Sequence, residues 1–123
     1  MKTRSLPPHL LGRQGEDIAQ EYLKERGYRI VERGFRYARG EIDIIAYHRQ
    51  TLVFVEVKTR LAPSHSLPEE SITPAKARQI RRTAQAYMHR HFLEDIPCRF
   101  DVLALLFQGE QEFQIRHYRD AFD

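Results

Sequence analysis

A chain of 123 residues, 41% of them apolar and including seven Phe and six Tyr, suffices for one hydrophobic core and leaves little room for a second domain. Twenty Lys plus Arg against seventeen Asp plus Glu give a net charge of +3, a lean toward polyanionic partners that many unrelated proteins share. The single cysteine, Cys98, excludes an internal disulfide and a cysteine-rich zinc site, so a metal has to rest on oxygen ligands or histidines.

Residues 1–10 hold two adjacent prolines and no periodicity and are expected to form an N-terminal arm, leaving 11–123 as a single domain. No apolar run there is long enough for a signal peptide, and nowhere do about 18 consecutive apolar residues occur. The expectation is a soluble, cytoplasmic protein with no membrane partner. From Leu11 to Arg26, Leu11, Gly15, Ile18, Ala19, Tyr22, Leu23 and Arg26 share one arc of a helix, and Gly27 ends it.

Three strand-like segments follow, "YRIVERGFRY", "EIDIIAY" and "TLVFVEVKT". The last two are separated by only a few polar residues, which predicts a hairpin. Residues 61–72, rich in proline and serine, are expected to be a mobile loop. A second helix opens at "TPAKA", with Thr73 as N-cap and Pro74 at its first position, and its apolar side runs Ala77, Ile80, Ala84, Tyr87, Met88. "RFDVLALLF" and "EFQIRHY" read as two further strands, antiparallel across the "QGEQ" turn. The predicted order is α-β-β-β-α-β-β, a mixed α/β sheet with helices packed on its faces. Strand four lies parallel to strand three through a crossover.

Side chains alternate along a strand, so Leu52, Phe54, Glu56 and Lys58 point one way and Val53, Val55, Val57 and Thr59 the other. The valine side is expected to face the core. In the preceding strand Ile42, Ile44 and Ala46 share one side, and Glu41, Asp43, Ile45 and Tyr47 the other. A hairpin loop of two residues (Arg49, Gln50) or four sets Asp43 opposite Glu56 on one face, whereas a loop of three separates them. Two facing carboxylates repel, and a cation is the natural reason to tolerate them. Oxygen ligands suit Mg²⁺ or Mn²⁺, which take one or two protein carboxylates and substrate phosphate oxygens. Lys58 beside them is placed to assist a water or to stabilise charge on an attacked phosphate. The same residues also fit a plainer role, a solvated salt bridge on the outer face of an edge hairpin. Glu16, at the border of the first helix's apolar arc, can reach toward a strand end or simply favour its own helix N-terminus.

For nucleic acid, the second helix offers Lys76, Arg78, Arg81 and Arg82, a stripe able to neutralise phosphates without reading bases. Arg39 and Arg60 are expected as further phosphate contacts near the carboxylates. The six histidines form no recognisable ligand motif, since His89 and His91 sit on different sides of a helix.

The succession "GRQGEDIAQEYLKERGY", "GEIDIIA", "VFVEVKTR" and "RFDV", with "AF" near the end, resembles the YraN-like family of small bacterial proteins. That family is related to archaeal Holliday junction resolvases and to the PD-(D/E)XK nuclease superfamily. The resemblance runs from about Gly12 to Phe122 and implies a restriction-endonuclease-like fold. It also implies Asp43 as metal-binding aspartate, Glu56 as second acidic ligand, Lys58 as catalytic lysine and Glu16 as the helix glutamate of the resolvase branch. The superfamily's name-giving proline is absent, since Gly40, Glu41 and Ile42 precede Asp43. The implied activity is Mg²⁺-dependent (or Mn²⁺-dependent) endonucleolytic hydrolysis of DNA, by analogy at branched or irregular structures, with a two-fold homodimer expected on the same analogy. The alternative is a non-catalytic nucleic-acid-binding module of the same fold acting in repair or recombination. Asp101, flanked by Arg99 and Phe100, is expected to be a structural carboxylate paired with an arginine.

Overall fold

The computed structural model describes residues 8–62, 72–109 and 112–123, with side chains from Gly12 onward. Seven elements follow in chain order: α1 (Pro8–Glu25), β1 (Tyr28–Tyr37), β2 (Gly40–His48), β3 (Thr51–Leu61), α2 (Pro74–Arg90), β4 (Cys98–Phe107) and β5 (Phe113–Phe122). This is the expected α-β-β-β-α-β-β succession. Helix α1 begins three residues before Leu11, at a proline that suits a first helical position. The rest of the expected arm, residues 1–7, lies outside the described residues, and so does 63–71 of the expected loop. Leu61 belongs to β3.

The five strands lie in spatial order β1-β2-β3-β4-β5. The β1–β2, β2–β3 and β4–β5 pairs are antiparallel, and β3–β4 is parallel through the α2 crossover. Strand β3 is therefore central, which removes the edge-hairpin setting that the plainer role for its charged residues requires.

Each face of the sheet carries its own apolar cluster. On one side Ala19 and Leu23 of α1 pack on Ile44, Ala46, Val53, Val55, Leu103, Leu105 and Phe107. On the other, Ile80, Ala84, Tyr87 and Met88 of α2 pack on Phe35, Ile42, Ile45, Leu52, Phe54 and Phe100. The valine side of β3 faces the core as expected, but so does the Leu52/Phe54 side, because α2 covers it. Ile42 departs from its expected side: it packs with Phe35 in the α2 cluster, while Ile44 and Ala46 stay under α1.

Two glycines let the helices approach. A Cβ at Gly15 of α1 would collide with the Thr59 side chain of β3, and one at Gly40 with Thr83 of α2. Thr83 is itself buried and donates its hydroxyl to the Gln79 carbonyl at 2.9 Å, a bond that rotating the side chain away would break. Gly40→Ala is expected to destabilise the fold by about 1–3 kcal/mol. Combined with Thr83→Ala it should lose clearly less than the sum of the two single changes, measured by urea unfolding as a double-mutant cycle.

Asp101 organises the opposite flank. Its fully buried carboxylate takes hydrogen bonds from Arg99 Nε (3.0 Å), the Tyr28 hydroxyl (3.2 Å) and the backbone N–H of Asp120 (3.1 Å), and lies 2.8 Å from His117 Nε2. The β4–β5 register shifts between Phe100 and Val102; Asp120, at φ 52°, sits in the bulged segment, and Asp101 clasps it. The pairing with an arginine is as expected. Asp101→Ala takes the shared acceptor from the partly buried Arg99 and His117 and is expected to cost about 3 kcal/mol in denaturant unfolding.

Candidate functional site

The β2–β3 turn holds two residues: His48 pairs with Thr51, and Arg49 adopts φ 57°, as such tight turns require. The ladder then runs to Ile44 opposite Val55 and stops, one step short of Asp43 and Glu56. There the Asp43 carboxylate accepts the Val57 backbone N–H at 2.7 Å, a bond that a strand carbonyl would otherwise supply. The two strands part at this point, and Asp43 sits in the fork between them. Its carboxyl is raised above its ordinary value chiefly by burial; the Val57 N–H opposes this, Glu41 adds to it, and Lys58 and Lys76 oppose it.

Glu56, on the strand's next position, shares the α2 face with Phe54. It is 6% exposed. Its Oε1 lies 3.4 Å from Lys58 Nζ and 3.8 Å from Lys76 Nζ. Its Oε2 is buried with no hydrogen-bond partner among the described residues. Burial first, and the negative charge of Asp43 second, push the Glu56 carboxyl up to about 7 even though both lysines pull it down. A buried carboxylate with one satisfied and one orphaned oxygen is a costly arrangement for a side chain with only a structural role.

Glu16 approaches from α1. Its pKa is raised by burial first and by Asp43 second, which places it within the electrostatic reach of the fork. Its carboxylate, however, pairs with Arg33 at 3.7 Å, so it stands beside the site engaged elsewhere. The structure thus brings together Asp43, Glu56 and Lys58 and leaves Glu16 at their margin. Among the described residues, no three His, Cys, Asp or Glu side chains are grouped as a ready-made metal cage. The fit to a divalent ion rests on two carboxylates, Asp43 and Glu56, the latter with its Oε2 orphaned among the described residues, a donor set of the size that Mg²⁺ uses.

The expected phosphate contacts divide. Arg78 and Arg82 are exposed on α2, and with Ala75, Lys76 and Gln79 they line a groove of about 520 Å³. Arg81 is turned away and donates to the Asp123 carbonyl at 2.7 Å. Arg39 is exposed, its backbone carbonyl held by Gln79 Nε2 at 2.8 Å, and Arg60 bonds the neighbouring Thr59 carbonyl at 2.9 Å.

Two residues named in the sequence, Glu41 beside Asp43 and Lys76 as a phosphate contact, have a part at the carboxylates that was not expected of them. Glu41 adds negative charge to both Asp43 and Glu16. Lys76 enters the site itself, through the first turn of α2, where Thr73 Oγ1 caps its backbone N–H at 3.1 Å. The signal for Lys76 was present: a helix that returns from β3 to a parallel β4 starts beyond the carboxyl end of β3, on the side toward which Lys58 follows the mid-strand Glu56.

A model of the uncharacterised protein family UPF0102 matches residues 15–105. The chain belongs to that family. It is 50% identical over 123 residues to a UPF0102 protein of Prosthecochloris aestuarii, covering 96% of this chain and 97% of the relative. It is 47% identical over 113 residues to one of Syntrophotalea carbinolica, at 92% and 91% coverage. A UPF0102 protein of Geobacter sulfurreducens shares 43% over 114 residues, at 93% and 89%. The UPF0102 membership agrees with the YraN-like resemblance. The match spans every residue of the fork and of the α2 first turn. No helix among the described residues is long and apolar enough to cross a membrane.

The charge states give a signed expectation. Glu56, raised from 4.5 to about 7, binds a proton more readily folded than unfolded, so its contribution to stability is full below about pH 4.5 and is lost as pH rises through 7. Asp101 has the opposite sign. Burial alone would raise it, but the His117, Asp120 N–H and Arg99 hydrogen bonds outweigh burial and hold it below its ordinary value. Its contribution therefore appears above pH 3.8 and fades in stronger acid. In EDTA, stability measured by urea unfolding is expected to decline between pH 5 and 8, and Glu56→Gln is expected to flatten that decline.

Proposed function

We propose that this chain is a divalent-metal-dependent nuclease that hydrolyses phosphodiester bonds in DNA. The observation that carries the reading is Glu56: a carboxylate buried in a central strand, with an orphaned oxygen, beside a second carboxylate and under two lysines. Asp43 and Glu56 would hold Mg²⁺ or Mn²⁺. Bound there, the ion supplies Lewis-acid polarisation of a phosphate and eases deprotonation of a water.

The remaining work falls to the chain's own residues. The Val57 N–H holds Asp43 Oδ2 and so limits rotation of that carboxylate in the fork. Lys58, 18% exposed at its side chain, offers an ammonium that orients the attacking water or stabilises negative charge on the phosphate oxygens in the transition state. Arg78 and Arg82 on α2 would neutralise the flanking backbone, giving sequence-indifferent and salt-sensitive binding. Preference for branched or irregular DNA rests on the relation to resolvases alone.

Purified protein incubated with linear, flapped and four-way-junction DNA should cut in Mg²⁺ or Mn²⁺ and not in EDTA. Lys58→Ala is expected to reduce the rate by about 10²-fold or more while DNA affinity stays within a few fold. DNA binding without cutting under every metal condition would support the non-catalytic module instead. Indifference to DNA altogether would remove both readings.

A further inference from the structure

Lys76 belongs to two places at once. Its ammonium lies 3.8 Å from the same Glu56 oxygen that Lys58 approaches at 3.4 Å, a separation longer than a direct hydrogen bond. Its side chain is 34% exposed on a flexible four-carbon stem. The same residue lines the groove of about 520 Å³ with Arg78 and Arg82. Among the described residues, it is the single side chain shared by the acidic fork and the basic groove.

Its charge also acts on both carboxylates, favouring the ionised form of Asp43 as well as that of Glu56. A divalent ion entering the fork takes over that role. Two cations would then stand within a few ångströms of each other around a carboxylate already neutralised, and the monovalent one on the mobile stem is the one that yields. The groove next to it is lined by arginines, so an ammonium moved there is favoured only when an anion lies in the groove.

We propose that Lys76 couples metal binding to nucleic-acid binding: it neutralises Glu56 until the ion arrives and then turns to the groove to contact a backbone phosphate of the substrate. The inference rests on the metal-dependent reading of the fork. Lys76 is a positioning residue in this scheme, since it sets the order and strength of binding and not the bond-breaking step. Linkage makes the effect mutual, each ligand tightening the other by one common factor.

The test uses the full chain carrying Lys58→Ala, so that DNA stays intact, with Lys76 kept or changed to Met or Arg. Mn²⁺ affinity is measured by titration calorimetry, and the affinity for a short fluorescent duplex by anisotropy in Mn²⁺ and in EDTA. With Lys76 present, Mn²⁺ is expected to tighten duplex binding about fivefold or more. Lys76→Met should lose most of that gain and, without DNA, bind Mn²⁺ several-fold more tightly because the competing ammonium is gone. Lys76→Arg, which keeps the charge, should hold the Mn²⁺ affinity close to that of the parent. A Met variant that matches the parent in both measurements would overturn the coupling and leave the metal site standing. No Mn²⁺ binding by the parent would overturn the metal site and the coupling together.

Discussion

One carboxylate in the middle of a sheet governs the arrangement of everything around it. Strand β3 is paired on both edges and covered on both faces, by α1 on the valine side and by α2 on the Leu52/Phe54 side. Apolar residues suit all of its inward positions, yet Glu56 occupies one of them at 6% exposure. Removing a charge from water is costly by several kcal/mol unless partners replace the lost hydration. The fold supplies them from two separate elements, Lys58 on the same strand and Lys76 at the start of the next helix. Even so, Glu56 Oε2 has no hydrogen-bond partner among the described residues.

The surroundings set that carboxylate beside a break in the sheet. Asp43 substitutes for a strand carbonyl at Val57, which ends the β2–β3 ladder and opens a fork without leaving the Val57 N–H unpaired. The helices close in on both sides of this opening: Gly15 brings α1 against Thr59, and Gly40 brings the start of β2 against Thr83 of α2. Because β3 and β4 are parallel, the intervening helix must run back along the sheet, and its first turn carries Lys76 to within 3.8 Å of Glu56 Oε1. Negative charge is gathered on the strands and positive charge on the element that crosses over them.

The elements were legible because their signals are periodic or chemical. Thr73 followed by Pro74 marks the start of α2, and Ala77, Ile80, Ala84, Tyr87 and Met88 give its buried side. A two-residue turn fixes the register that aims Asp43 and Glu56 at one another. What a period cannot convey is where a ladder stops. Asp43 interrupts its own strand by a side-chain bond, and Ile42 then packs with the α2 cluster against the simple alternation. Nor does periodicity tell which partner a long side chain selects. Glu16 had an arginine from β1 within reach and took it, and Arg81 turned to the chain end. Lys76 was legible in part: its residue type suggested a phosphate, while the polarity of the crossover, which also puts it over Glu56, is a property of topology and not of any local stretch.

Two buried carboxylates in one small domain allow a comparison that separates packing from chemistry. Asp101 is wholly enclosed, and its oxygens are met by Arg99, Tyr28, His117 and the Asp120 backbone, so its charged form is favoured despite burial. Glu56 is almost as enclosed, yet its neighbours stop short of compensating, and the neutral form gains ground to about pH 7. Complete satisfaction is what a structural role demands, since any missing partner lowers stability with nothing gained. Incomplete satisfaction at a position flanked by a second acid and two cations has a different logic. It is tolerable where a ligand with hard positive charge supplies the missing partner, since the stability forgone without that ligand would then add to the free energy with which it is held.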